Sequence, residues 1–170
     1  MLDVGCGKGI WGYLMRSEKH GDEAYLIGLD LEKKCLSFCK RFNVYDDLIL
    51  AEASCLPFRS KSIDVILASE VIEHLPRERE VKFLKEIEDI CRKRIIITTP
   101  NGFLKQAEEL IENSPLQKHK SGWSVKDFKR HGYRVHGLGL RAPILILMPN
   151  PIAYRFPRVA RLLVAVKDVG

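Results

Sequence analysis

One short segment, Leu2 to Gly12 (LDVGCGKGIWG), limits what this chain can fold into more than any other. An apolar run ends in glycines at positions 5, 7, 9 and 12. They read as Gly5-x-Gly7-x-Gly9 and equally as Gly7-x-Gly9-x-x-Gly12. A strand that runs into so many glycines must turn tightly, and it lets a ligand approach the main chain closely. The second spacing is the dinucleotide fingerprint, but alone it does not decide which nucleotide binds.

The rest of the chain repeats this opening. Short runs rich in branched residues alternate with longer amphipathic stretches. Strands are expected at 1–5, 24–30, 47–51, 62–69 and 94–100, with helices at 9–19, 32–42 and 77–92. In the last helix Val81, Leu84, Ile87, Ile90 and Cys91 recur at helical spacing. Residues 103–113 and 124–131 also read as helices, the latter capped by Ser124 with Asp127 three positions on. Two final strands follow at 133–140 and 161–167, joined by a proline-rich, irregular or broken-helical stretch. Strands separated by helices predict an α/β, Rossmann-like, doubly wound sheet in one domain, residues 1–170.

Such a sheet binds its ligand beyond the C-terminal ends of the strands, and polar residues cluster there. Asp3 lies two positions before the first glycine. A pyrophosphate gains nothing from a nearby carboxylate, whereas a cofactor with a cationic end does. Asp30 closes the second strand, 21 residues after Gly9, where a carboxylate accepts both hydroxyls of an adenosine ribose. After the third strand come Glu52 and Ala53, suited to an adenine amino group and ring nitrogen. Ser69 and Glu70 follow the fourth.

Charge is uneven. Residues 1–116 carry 17 Lys+Arg against 20 Asp+Glu, and residues 117–170 carry 11 against 2, so the halves sum from −3 and +9 to the net +6. A basic C-terminal third attracts polyanions or presents a solvated face. Five cysteines (Cys6, Cys35, Cys39, Cys55, Cys91) form no CxxC pair, which argues against a disulfide scaffold or zinc ribbon and for a reduced, cytoplasmic protein. The one conspicuous apolar run, Ala142–Met148, is far shorter than the ~20 residues that span a bilayer.

LDVGCGKG (2–9), Asp30, AEASCLPF (51–58), SEVIEHLP (69–76) and ITTPN (97–101) together resemble the class I S-adenosylmethionine-dependent methyltransferases. They are most similar to the broad small-molecule group that includes ubiquinone-biosynthesis enzymes. The resemblance implies a seven-stranded, mostly parallel sheet whose last strand is antiparallel, and S-adenosylmethionine as cofactor. It implies that Asp3, Gly5, Cys6, Gly7 and Gly9 surround the methionine part, Asp30 with Leu31 the ribose, Glu52 with Ala53 the adenine, and that Ser69 and Glu70 border the cofactor. Family members carry a further helix before the first strand, and here Met1 is nearly in that strand. Either the segment is lost, or the sequence starts too late in its gene, or a partner subunit or a second copy of the chain supplies the cover.

Transfer of an activated methyl group needs alignment above all, and a base only where the acceptor must lose a proton. His74 is the candidate base. No dedicated metal is expected, although the resemblance permits one on Glu70, Glu73 and His74. His119, His131 and His136 stand in no motif. The segment after the fourth strand is not of the NPPY type used on nucleic-acid bases. The reading is a methyltransferase acting on a small molecule. RNA, through Lys118, Lys120, Lys126, Lys129, Arg130 and Arg134, is the first alternative, and a non-catalytic cofactor-binding subunit is the second.

Overall fold

Leu2, Asp3 and Val4 form β1, and all three are buried. β1 lies between two parallel neighbours, β2 (Ile27–Asp30) and β4 (Ile63–Ser69), with Asp3 opposite Gly28 on one side and Leu67 on the other. β3 (Asp47–Leu50) pairs in parallel with β2 as the edge strand. The computed structural model describes residues 1–18, 23–104, 106, 115–140 and 151–170.

The sheet has seven strands in the order β3-β2-β1-β4-β5-β7-β6, where β5 is Cys91–Pro100, β6 Arg134–Leu140 and β7 Ala160–Asp168. β6 and β7 are antiparallel, as the resemblance implies for the last strand. Among the described residues the helices are α1 (Ile10–Ser17), α2 (Lys33–Arg41), α3 (Arg77–Ile90), α4 (Val125–Arg130) and α5 (Pro151–Arg155). No described helix is long and apolar enough to cross a membrane.

The chain divides into two compact units, Met1–Ser69 with Val81–Ile95 and Asp168–Gly170, and Glu70–Glu80 with Ile96–Lys167. In the first, Cys6, Leu26, Leu36, Cys39, Val44 and Tyr45 form one buried cluster. The Arg16 guanidinium donates to Asp46, whose carboxylate also accepts from the Leu26 amide at 2.6 Å. This fastens the end of α1 to the approach to β3. On α3 the buried stripe is Phe83, Leu84, Ile87 and Ile90, while Val81 is 42% exposed. The helical period is as expected, and Leu84, Ile87 and Ile90 are buried as expected; only at the N-terminal edge of the stripe is Phe83 buried in place of Val81. No loop separates α3 from β5, because Cys91 already begins the strand.

In the second unit the cap of α4 forms as the sequence predicts. Ser124 accepts from the Asp127 amide, and the Asp127 carboxylate accepts from the Ser124 amide at 2.9 Å. Phe128 packs between Trp123 (ring centroids 4.8 Å apart) and Tyr133 (5.8 Å). The Asn101 amide donates to the carbonyls of Pro157, Arg158 and Ala160, which fixes the entry to β7. The expected helix over 103–113 falls mostly outside the described residues, and Phe103 and Leu104 are not helical. Of the stretch 141–160, residues 151–159 carry α5 and a 3-10 turn (Pro157–Val159), Ala160 begins β7, and 141–150 lie outside the described residues.

Candidate functional site

The glycine turn is built from left-handed backbone. Gly5, Gly7 and Gly9 have φ of 70°, 52° and 80°, values that disfavour any side chain. Its amides have fixed partners. Those of Gly5 and Cys6 donate to the Leu29 carbonyl at 2.7 and 2.9 Å. That of Gly7 donates to the Asp30 carboxylate at 2.8 Å. The other Asp30 oxygen accepts from the Glu32 amide at 2.7 Å. The β2 carboxylate therefore organises the turn itself and keeps lone pairs for further donors. Leu31 is 50% exposed beside it.

The Ala51 amide donates to the Asp30 carbonyl at 3.1 Å, which sets the start of the loop carrying the half-buried Glu52 and Ala53. Ser69, also half-buried, ends β4. The sequence-predicted cofactor residues of the first unit thus stand at the C-terminal ends of its parallel strands. The turn and Asp30 are joined directly by hydrogen bonds.

Asp3 differs from the others. Its side chain is 1% exposed. Oδ2 accepts from the Tyr45 hydroxyl at 2.5 Å, and Oδ1 is buried with no hydrogen-bond partner. Burial pushes its carboxyl up to about 6, opposed by the Tyr45 bond and reinforced by the Asp30 charge. Cys6 is buried in the turn, and burial raises its thiol far above the usual range, which leaves it unreactive.

The second unit begins within the SEVIEHLP segment, at Glu70. Glu70 holds a left-handed backbone, φ 55°, uncommon for a residue with a side chain. Its amide donates to the Thr98 carbonyl at 3.0 Å, and its carboxylate accepts from the Thr98 hydroxyl at 3.1 Å. Glu73 is 1% exposed. One of its oxygens accepts from the Thr99 hydroxyl at 3.0 Å, and the other is buried without a partner. Burial, then the Glu70 charge, pushes its carboxyl up to about 8.

His74 is half-buried, and burial lowers its imidazole below the usual value. Its Nδ1 lies 3.2 Å from the Lys118 carbonyl, and Nδ1 of His119 lies 2.8 Å from the Leu104 carbonyl. A carbonyl only accepts, so both rings carry their proton on Nδ1 and offer the Nε2 lone pair. The rings are 5.0 Å apart. Ligand atoms of Glu73, His74 and His119 all lie within 4.8 Å of one another.

No local motif marks His119 in the sequence. It arrives through a loop whose Lys120 amide donates to the Glu73 carbonyl at 2.8 Å. Tyr45 was missed altogether. His131 and His136 do not join this cluster. His131 packs 5.8 Å from Trp123, and His136 stacks on Tyr154 at 4.3 Å.

A methyltransferase-domain family model matches residues 2–97. The chain is 29% identical over 104 residues to the tRNA (carboxymethyluridine(34)-5-O)-methyltransferase of Arabidopsis thaliana, covering 61% of this chain and 22% of that protein. The curated relatives it matches are longer, and the chain spans 55%, 22% and 47% of them. Among solved structures it is similar to a SAM-dependent methyltransferase from Archaeoglobus fulgidus. The TM-score is 0.67 with 19% identity, covering 98% of this chain and 84% of that one. It is also similar to the complex of the Haloferax volcanii Trm112 methyltransferase activator with its putative methyltransferase. There the TM-score is 0.64 with 17% identity, covering 99% and 80%.

Proposed function

This chain belongs to the methyltransferase-domain family and to its S-adenosylmethionine-dependent class, and from that premise we propose that it transfers a methyl group to a small-molecule acceptor. The observation that carries the reading is the Gly5–Gly9 turn bonded to the Asp30 carboxylate, with a buried, half-partnered Asp3 in the strand beneath. Asp30 and Leu31 take the ribose. Glu52 and Ala53 take the adenine. Asp3, Gly5, Cys6, Gly7 and Gly9 enclose the methionine part, and Ser69 and Glu70 border it. The ammonium and sulfonium of the cofactor satisfy the Asp3 carboxylate, whose Oδ1 has no hydrogen-bond partner among the described residues. Calorimetry with S-adenosylhomocysteine and with NAD tests this. Micromolar binding of the first and none of the second is expected, and the reverse overturns it.

His74 is the proposed base. Its free Nε2 accepts an acceptor proton, and the lowered basicity of the ring keeps that nitrogen neutral at pH 7. The same side chains fit a divalent cation. Two imidazoles with committed Nδ1 atoms and a buried, unpartnered Glu73 oxygen are a two-histidine, one-carboxylate donor set. Glu73, His74 and His119 would hold it, and when bound it would make an acceptor hydroxyl more acidic.

RNA as acceptor is a second reading, supported by the +9 charge of residues 117–170 and by the tRNA substrate named for the Arabidopsis relative. A steep salt dependence of RNA binding would favour it. A protein partner is also proposed. α1 buries only Gly12 and leaves Ile10 67%, Tyr13 66% and Leu14 45% exposed, and the Haloferax neighbour was solved with an activator subunit. Light scattering that shows a strict monomer would count against self-association and leave a different subunit as the cover.

A further inference from the structure

We infer that Tyr45 is the positioning residue of the cofactor site: its hydroxyl fixes which Asp3 oxygen is offered to the cofactor, and its ring is the floor beneath the glycine turn. The inference rests on the reading of Asp3 as the partner of the cofactor's cationic end. Tyr45 lies in the loop between α2 and β3, 42 residues from Asp3, and is 5% exposed.

Both sides of its hydroxyl are committed. The Gly12 amide, an otherwise unpaired donor in the first turn of α1, donates to the oxygen at 3.3 Å. The hydroxyl proton then goes to Asp3 Oδ2 at 2.5 Å. Among the described residues Oδ1 has no donor, which leaves it as the Asp3 oxygen on which a cationic group can act. No side chain caps α1 at its start, so Tyr45 joins the first turn of α1 to β1 through one oxygen atom.

The ring accounts for glycines that the ligand does not. A Cβ on Gly12 would lie 2.5 Å from the Tyr45 ring, one on Gly28 2.8 Å and one on Gly9 3.3 Å. Gly12 and Gly28 have ordinary backbone angles, so space for this ring is what they supply. Gly12 completes the fingerprint spacing in the sequence, yet its partner is an aromatic side chain.

The test is calorimetry of the whole chain with S-adenosylhomocysteine, which keeps the ammonium, from pH 5.5 to 8.5. Besides burial, Asp3 is acted on by the Tyr45 hydroxyl through its hydrogen bond and by the Asp30 charge on β2, and its own charge raises the neutral thiols of Cys6 in the turn and Cys39 on α2. For the wild-type protein, binding should weaken as pH falls through about 6, where Asp3 takes up a proton. Y45F keeps the ring and removes the bond that favours the ionised carboxyl. At pH 7 it should bind about tenfold more weakly. Its loss on acidification should set in at higher pH, with recovery toward wild type at pH 8.5. D3N should bind weakly at every pH, and adding Y45F to it should cost nothing further. Wild-type affinity in Y45F, or a pH-independent loss that adds in full to that of D3N, would overturn the inference. If wild type itself does not bind, the cofactor reading fails instead. If Y45F does not fold, the Tyr45 hydroxyl proton of wild type decides by NMR. It should titrate with a midpoint near 6 and cease to do so when the ligand saturates, and a signal indifferent to both would overturn the inference.

Discussion

Asp3→Asn should make the cofactor-free protein more stable at neutral pH while making it a poorer binder. The Asp3 carboxyl is raised by burial from its ordinary 3.8 to about 6. The folded state therefore holds this proton more tightly than the unfolded state does. Stability is fully present below about 3.8 and is lost as pH rises to about 6. That gap corresponds to roughly 3 kcal/mol at 1.36 kcal/mol per pH unit. Asparagine is neutral throughout and avoids the loss. It brings its own penalty, because its amide nitrogen replaces the unpartnered Oδ1 and leaves a buried donor at about 1–3 kcal/mol. That penalty does not depend on pH, so the comparison across pH isolates the carboxylate. Between pH 4 and pH 7.5 the stability of the variant relative to wild type should rise by about 2–3 kcal/mol. For a chain of this size that is a relative Tm shift of roughly 4–12 °C. Thermal unfolding of both proteins, stripped of ligand and followed by circular dichroism across that range, measures it. A difference that stays constant with pH would show that Asp3 is not a desolvated carboxylate, and the reasoning on its role would fall with it.

Gly12→Ala gains about 1 kcal/mol of helix propensity but places a Cβ 2.5 Å from the Tyr45 ring. Overpacking and a displaced Tyr45–Asp3 bond should outweigh the gain, for a net loss of about 1–3 kcal/mol, and an unchanged or raised Tm would refute this. Asp30→Ala removes the acceptor of the Gly7 and Glu32 amides and should weaken S-adenosylhomocysteine binding by about 1.5–3 kcal/mol in calorimetry; equal affinity would place the ribose elsewhere. Phe83→Ala empties a fully buried position on α3 and should lower stability by about 3–5 kcal/mol in urea unfolding, and a loss below 1 kcal/mol would contradict its burial.

How much of the site was legible follows from how far each feature reaches along the chain. The turn was, because left-handed backbone at Gly5, Gly7 and Gly9 is a local demand that glycine meets. Asp30 was too, since its distance from the turn is the length of one helix and one strand. The α4 cap needs only Ser124 and Asp127. The inner face of α3 was largely legible, because Leu84, Ile87 and Ile90 recur at helical spacing. Its edge was not: Val81 and Phe83 both stand at near-helical spacing from them, and the buried Glu80 disguises the inner face as a charged one.

The sequence by itself determined the alternation of strands and helices, the left-handed turn and the carboxylates that follow the strands. Each depends on residues within a few positions of one another, where periodicity and φ preferences act. The tertiary structure alone decided what those carboxylates do. The Tyr45 hydroxyl reaches Asp3 across 42 residues, and His119 is brought to Glu73 and His74 by a loop with no motif of its own. Hydrogen bonds and donor clusters act over about 3–5 Å of space whatever the separation along the chain. A single sequence records no such distances, so Asp3 and Tyr45 read as unrelated until the first unit folds, as do Glu73, His74 and His119 until the second does.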